Sequence, residues 1–516
     1  MLVRDFLEQS ASKFGSKVAL VFEDQRLTYE QIDAMANRLA NALIAAGVRR
    51  GDRVAIYLGN SVEAVVSIFA ALKANGVFVV INPTTKEDKL AFVLNNCQAR
   101  ALIGHARLAS ILHQVCPQVP SLAYLLLVDG EENQGDFGLA AQAYEAVQME
   151  YPSTRPARRC IDIDLAALIY TSGSTGFPKG VMSTHLNMIT AATSITSYLE
   201  NVPEDIIINV LPLSFDYGLY QVLMAFMVGA TLVLERGFVY PHAILRRIAA
   251  ERVTGFPIVP TISAMLLQLQ GVGHYDCSSL RYITNTGAAL PVSHIRRLQE
   301  LFPWVTLYSM YGLTECKRVS YLPPAELARR PDSVGIAIPN TEVWIENEQG
   351  ERVGPGEIGE LVVRGSHVTR GYWQNPEETA KMFKPGPLPG EFVLHTGDLF
   401  RMDEEGFLYF VARKDDIIKS RGEKVSPKEI ENVLYTMPEV LEAAVVGVPD
   451  PVLGEAIKAI VVPMREGALT EREVIAHCKR HLEDYMVPSL VEIRRELPKT
   501  SSGKIRKTAL RDEALS

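Results

Sequence analysis

Along the chain, short runs of apolar residues alternate with segments in which apolar positions recur at helical spacing. Runs 53–58, 77–81 and 101–104 predict strands, and segments 62–75 and 86–96 predict the helices between them. The rhythm returns with strands at 206–211, 230–234 and 255–260 and helices at 218–228 and 243–252. Such repetition predicts βαβ units and parallel sheet, here two doubly wound layers within one large N-terminal domain of an α/β protein. Residues 129–159, richer in Glu, Gln, Gly and Pro, predict a loop-rich connection with one short helix. Short strands at 341–345, 360–364 and 407–411, each followed by turn signals, predict a small β-rich subdomain. The N-terminal domain is expected to span 1–413, and a small, mobile C-terminal α/β domain 414–516.

The stretch 217–234 carries no charge over 18 residues, close to the length of a membrane span. Gln221, two tyrosines, Gly218 and Gly229 interrupt it, so it predicts a buried helix up to Gly229 and a buried strand beyond, with no membrane span. Of the 516 residues, 47% are hydrophobic and 22% charged, the make-up of an ordinary globular enzyme. With 52 Lys and Arg against 60 Asp and Glu the net charge is −8, so no global basic field serves nucleic acid and any phosphate site must be local. Six cysteines are scattered without a CxxC pair, which predicts neither a zinc site nor a disulfide framework and fits a reducing compartment. Arg4, Asp5 and Glu8 stand where a signal peptide needs an apolar core, so a cytoplasmic location is expected.

The segment Tyr170-Thr171-Ser172-Gly173-Ser174-Thr175-Gly176-Phe177-Pro178-Lys179-Gly180 follows the apolar strand 165–169 directly. Glycines let backbone N–H groups approach oxygens, Ser and Thr add donors, and Lys179 adds a positive charge, which together suit phosphate. A Walker A loop counted from Gly173 would need glycine where Pro178 stands. A Gly-x-Ser-x-Gly elbow centred on Ser174 would need glycine where Ser172 stands.

Further motifs stand in order around this loop: Leu27-Thr28-Tyr29, Tyr311-Gly312-Leu313-Thr314-Glu315, Gly359-Glu360-Leu361, Thr396-Gly397-Asp398, the stretch 413–422, and Pro498-Lys499-Thr500-Ser501-Ser502-Gly503-Lys504. In this set the chain resembles, over essentially its whole length, the AMP-forming adenylating enzymes: acyl-CoA synthetases, peptide-synthetase adenylation domains and firefly luciferase. The resemblance implies an acid–thiol ligase that uses ATP and Mg²⁺, first to form an acyl-adenylate and then a thioester. It implies that Thr171, Ser172, Gly173, Ser174, Thr175, Gly176 and Lys179 hold the β- and γ-phosphates. By the same resemblance Tyr311 stacks on adenine, Asp398 and Arg413 hold the ribose hydroxyls, Thr314 touches the α-phosphate, and Glu315 binds Mg²⁺, a hard cation that suits a carboxylate with phosphate oxygens. Lys504 would be the catalytic lysine carried in by the C-terminal domain, and Asp415 the hinge about which that domain turns. Taken alone, Asp398 reads as a turn or N-cap residue, Glu315 as a solvated helix start and Lys504 as an exposed tail lysine.

The acid is less legible. Phe215-Asp216 resembles the amino-acid-activating adenylation domains, in which the aspartate pairs with the substrate ammonium, whereas many acyl-CoA synthetases carry an aromatic residue and His here. A carboxylate beside an acyl pocket is costly unless paired. The alternative is that Asp216 caps the following helix. The resemblance places Tyr217, Tyr220, Pro257, Thr284, Thr286, Met310, Arg318 and Val319 at the pocket. Lys317 and Arg318 read either as partners for a second acidic group of the substrate or as an exposed basic pair. No carrier-protein module follows Lys504, so the product is expected to pass to a separate thiol. An amino or β-amino acid loaded on the phosphopantetheine arm of a free-standing carrier protein, as in nonribosomal peptide or polyketide biosynthesis, is the first expectation. Acyl-CoA synthesis from a fatty or aromatic acid is the alternative, and a luciferase-like oxygenase or an inactive binding protein are further readings.

Overall fold

The computed structural model describes residues 1–130, 136–171, 178–420, 423–450, 453–500 and 503–515. Two mainly parallel sheets form the large N-terminal part. The seven-stranded sheet runs in the order Ala140–Ala143, Tyr124–Val128, Ala99–His105, Arg53–Tyr57, Val77–Val80, Leu165–Thr171, Lys179–Thr184, and only the last pair is antiparallel. The nine-stranded sheet is parallel through its middle, where Thr306–Tyr311, Tyr282–Asn285, Gly255–Ile258, Ile206–Asn209, Thr231–Leu234 and Val18–Phe22 succeed one another. Strand alternation explains the layering, since Val54 and Ile56 face the main core shared with the second sheet, while Ala55 and Tyr57 face helices Glu87–Asn96 and Ala109–Val115.

The strand Val18–Phe22 lies before all the expected units, yet it pairs with Thr231–Leu234 in parallel. Its helix Tyr29–Ala45 begins on a capping box: Thr28 accepts from the Gln31 N–H while Gln31 accepts from the Thr28 N–H. Tyr29 then donates its hydroxyl to the Ala230 carbonyl at 2.5 Å, so Leu27-Thr28-Tyr29 is an architectural clamp between these elements. The uncharged stretch resolves into the helix Asp216–Val228 and the strand Thr231–Leu234. Gly229 separates them at φ +82°, where a Cβ would also sit 2.5 Å from the Phe14 ring. Among the described residues no helix is long and apolar enough to cross a membrane.

A five-stranded antiparallel sheet follows, built from Thr341–Glu346, Ile358–Gly365, Phe383–Pro385, Phe392–Met402 and Leu408–Arg413. The small C-terminal part has its own sheet and two apolar clusters, with Val440–Asp450 and Gly454–Pro463 as its long central pair. The connection expected at 129–159 contains the short strand Ala140–Ala143 and the helix Tyr144–Glu150. All six cysteines are free and buried.

Candidate active site

The carboxyl ends of parallel strands are where open α/β sheets leave a crevice. Here Thr286 and Gly287 follow the strand Tyr282–Asn285, Gly312 to Lys317 follow Thr306–Tyr311, and Phe215 and Asp216 open the helix after Ile206–Asn209. These segments line one pocket of about 370 Å³, open at one side, together with Ile195, Tyr217, Tyr220, Arg318 and Lys504.

Lys504 enters from the C-terminal part. The bridge Lys499↔Ile505, the Lys504 N–H on Thr500 Oγ1 at 3.1 Å and Gly503 at φ +81° fold its segment into a tight turn. The stem passes Gly287, where a Cβ would lie 3.2 Å from Lys504 Cε, and the ammonium stands 5.4 Å from the Phe215 ring centre. Burial holds Lys504 below the ordinary lysine range and Arg413 adds to this, while Asp216, Glu315 and Asp398 oppose it.

The chain after Tyr311 is a compact turn. A Cβ at Gly312 would fall 2.4 Å from the Lys317 carbonyl, and Lys317 itself adopts φ +69°, so this geometry turns the Lys317 side chain inward. Lys317 and Arg318 are 4% and 3% exposed, which removes the reading of a solvated basic pair. The Lys317 ammonium donates to the Thr314 carbonyl at 2.7 Å, and burial pushes it down to about 8 against the pull of Asp216 and Glu315. Asp216 is 8% exposed and is the first helical residue. The N-cap is Phe215 with no side-chain cap bond, so Asp216 does not cap its helix.

Among the residues expected to hold the nucleotide, Asp398 and Arg413 are cross-strand partners, joined by Arg413 Nε to Asp398 Oδ1 at 3.1 Å. Tyr311 donates its hydroxyl to Asp398 Oδ2 at 2.5 Å, and burial raises the Asp398 carboxyl against both partners. Thr171 ends its strand opposite Lys179, so both stand at the base of the expected phosphate loop. Ser172, Gly173, Ser174, Thr175 and Gly176 lie outside the described residues. Lys179 pairs with Glu378 and sits 5.5 Å from the Tyr372 ring centre. Glu315 is buried and accepts from the Tyr372 hydroxyl at 2.6 Å. A buried carboxylate near the expected phosphate loop would suit Mg²⁺, which takes one or two carboxylates and completes its shell with phosphate and water oxygens.

Thr284 stands behind the pocket wall, its Oγ1 2.6 Å from the Tyr217 hydroxyl, and Met310 receives the Tyr198 hydroxyl at 3.0 Å. Pro257 lies in the strand Gly255–Ile258 and Val319 in the core beneath the β-rich sheet. Asp415 occupies the short 3₁₀ turn Lys414–Asp416. Sequence reasoning did not single out Tyr372, Glu378 or Gly287, which touch Glu315, Lys179 and Lys504. The aromatic pair Tyr372-Trp373 after Arg370-Gly371 was the only local signal for the first, and the pairing Val181↔Tyr372 that places it is long-range.

The family model described as "AMP-binding enzyme" matches residues 7–373, and that described as "AMP-binding enzyme C-terminal domain" matches 429–504. A long-chain-fatty-acid–CoA ligase of Bacillus subtilis (strain 168) is 33% identical, covering 99% of this chain and 94% of the relative. An anthranilate CoA ligase in complex with anthranoyl-AMP superposes with a TM-score of 0.91 at 29% identity, covering 100% of this chain and 97% of that one. ATP-bound MatB from Rhodopseudomonas palustris gives 0.88 at 26% identity, with 99% of each chain covered.

Proposed function

The chain belongs to the AMP-binding enzyme family and is an AMP-forming ligase, and from that premise we propose that it joins a carboxylic acid to AMP and then passes the acyl group to a thiol. The observation that carries this reading is Lys504, delivered from the C-terminal part into the strand-end pocket beside Thr314. In the first step the acid's carboxylate oxygen attacks the α-phosphorus of ATP and pyrophosphate leaves. Two anions meet there, and the Lys504 ammonium meets the charge that develops between them in a water-poor setting. Thr314 would contact the α-phosphate, Asp398 and Arg413 the ribose, Tyr311 the adenine, and Thr171 to Lys179 the outer phosphates. Lys179 would exchange Glu378 for phosphate as ATP enters. Mg²⁺ held by Glu315 would neutralise phosphate charge.

In the second step a thiolate attacks the acyl carbon and AMP leaves. We assign 1–413 to the adenylate-forming body and 414–516 to a unit that turns about Asp415 between the two steps. CoA is the acceptor favoured by the similarity to CoA ligases. A phosphopantetheine arm on a separate carrier protein is the second reading, supported by Asp216, whose buried carboxylate suits an amine-bearing acid. ATP–pyrophosphate exchange across plain, aromatic, amino and β-amino acids tests the acid. Amine-dependent exchange that drops about 100-fold in Asp216→Ala supports an ammonium partner, whereas exchange indifferent to the mutation makes Asp216 structural. Thioester formation with CoA or with a carrier then identifies the acceptor.

A further inference from the structure

The pocket wall carries polar groups that the chain leaves unsatisfied. Among the described residues neither Lys317 nor Arg318 has a carboxylate within ion-pair distance, although both are buried. Lys317 spends one of its three donors on the Thr314 carbonyl. The Arg318 guanidinium is hydrogen-bonded to the Tyr198 side chain and lies 5.3 Å from the Tyr217 ring centre, but its Nε is buried without a partner. The Tyr220 hydroxyl and Thr286 Oγ1, on the same wall, are also buried without partners. Buried cations without a carboxylate at ion-pair distance and empty buried donors are rare because each costs free energy, so together they describe the negative image of a ligand.

That image is anionic. Lys504, Lys317 and Arg318 face a pocket whose own lining carboxylate is Asp216, while Glu315, which also pulls on both lysines, is already bonded to Tyr372. The reacting carboxylate of the acid answers Lys504. Nothing in the adenylation step answers Lys317 and Arg318, and an alkyl chain laid against them would leave both charges unpaired.

Building on the proposed ligase reaction, we propose that Lys317 and Arg318, with Tyr220 and Thr286, form a subsite for a second carboxylate, so that the acid activated is a small dicarboxylic acid. Arg318 offers a planar fork suited to a carboxylate, and Lys317 a point charge beside it. An amino group on the same acid would fall to Asp216.

Pyrophosphate exchange tests this with matched acids: succinate, glutarate and aspartate against their half-amides and against the monocarboxylic acids of equal length. The expected result is a kcat/KM at least about 100-fold higher for a dicarboxylic acid than for its monocarboxylic match, because the mismatch leaves buried cations unpaired. Lys317→Ala and Arg318→Ala should each raise KM for the dicarboxylic acid about tenfold or more while KM for ATP stays put, and Arg318→Lys should recover part of the loss. Wild-type preference for a monocarboxylic acid overturns the subsite and leaves the ligase reading intact, and this arm does not depend on whether a variant folds. Unchanged KM for the dicarboxylic acid in both folded variants overturns it as well. Exchange with none of these acids but with an aromatic or longer plain acid overturns the subsite alone, and exchange with no acid of either panel overturns the ligase reading and the subsite with it.

Discussion

Lys504 shows how one side chain depends on several distant ones. Its path runs past Gly287, which adopts φ +88° and where a Cβ would come within 3.2 Å of its stem, and needs a left-handed turn at Gly503. Its ammonium enters the pocket of the proposed reacting centre, so Lys504→Ala should lower pyrophosphate exchange by about 100-fold or more, the usual cost of removing a transition-state donor. KM for ATP should move far less. Because burial lowers its pKa, the lysine loses its proton at a lower pH than a free one does. Wild-type exchange should therefore fall on the alkaline side before pH reaches about 10, the ordinary lysine value, and a profile flat to that pH would contradict this assignment. Lys504 was singled out by the resemblance of its motif, since alone it reads as a tail lysine. Tyr372 and Glu378 were not, because their partners are 57 and 199 residues away along the chain and nothing local marks a long-range hydrogen bond.

At the scale of elements, the short turn Lys414–Asp416 joins the β-rich sheet to the C-terminal part. Contacts on both sides steady it. Lys414 donates to Glu360 at 2.6 Å, and Arg511 pairs with Asp416 at 3.1 Å. Burial would raise the Glu360 carboxyl, but bonds from His395, Lys414 and the Gly397 N–H hold it down at about 2. A turn held by a few polar contacts can reopen by exchanging them with water, which an apolar interface cannot do so cheaply. Asp415→Pro fixes φ near the value the 3₁₀ turn already uses. It should leave pyrophosphate exchange within about twofold and slow thioester formation by about tenfold or more, since in the proposed mechanism only the second step needs the turn to change. Equal loss in both half-reactions, measured separately, would speak against a hinge at this residue.

At the scale of the whole molecule, three buried histidines link acid stability to packing. His185 accepts from the Val3 N–H, His294 bonds Ser263 and meets the Tyr435 ring across to the C-terminal part, and His367 is fully buried beside Gly365. Burial lowers all three to about 4, whereas an unfolded histidine titrates near 6.5. Between those values the unfolded chain binds protons that the fold refuses, so stability is lost as pH falls from about 6.5 towards 4. The melting temperature should be lower at pH 5 than at pH 7, and His294→Gln should shrink the difference. The sequence alone determined the alternation of strands and helices, the buried uncharged helix and the order of the motifs that carry the family resemblance. These are local properties, written in periodicity, in glycine positions and in spacing. Tertiary structure alone decided that Val18–Phe22 joins the distant second sheet, that Lys317 and Arg318 turn inward rather than out to water, and that Asp216 is free of its helix cap. Each depends on which segments meet in space and on what a backbone turn leaves room for, and free energies of burial and pairing are settled only there.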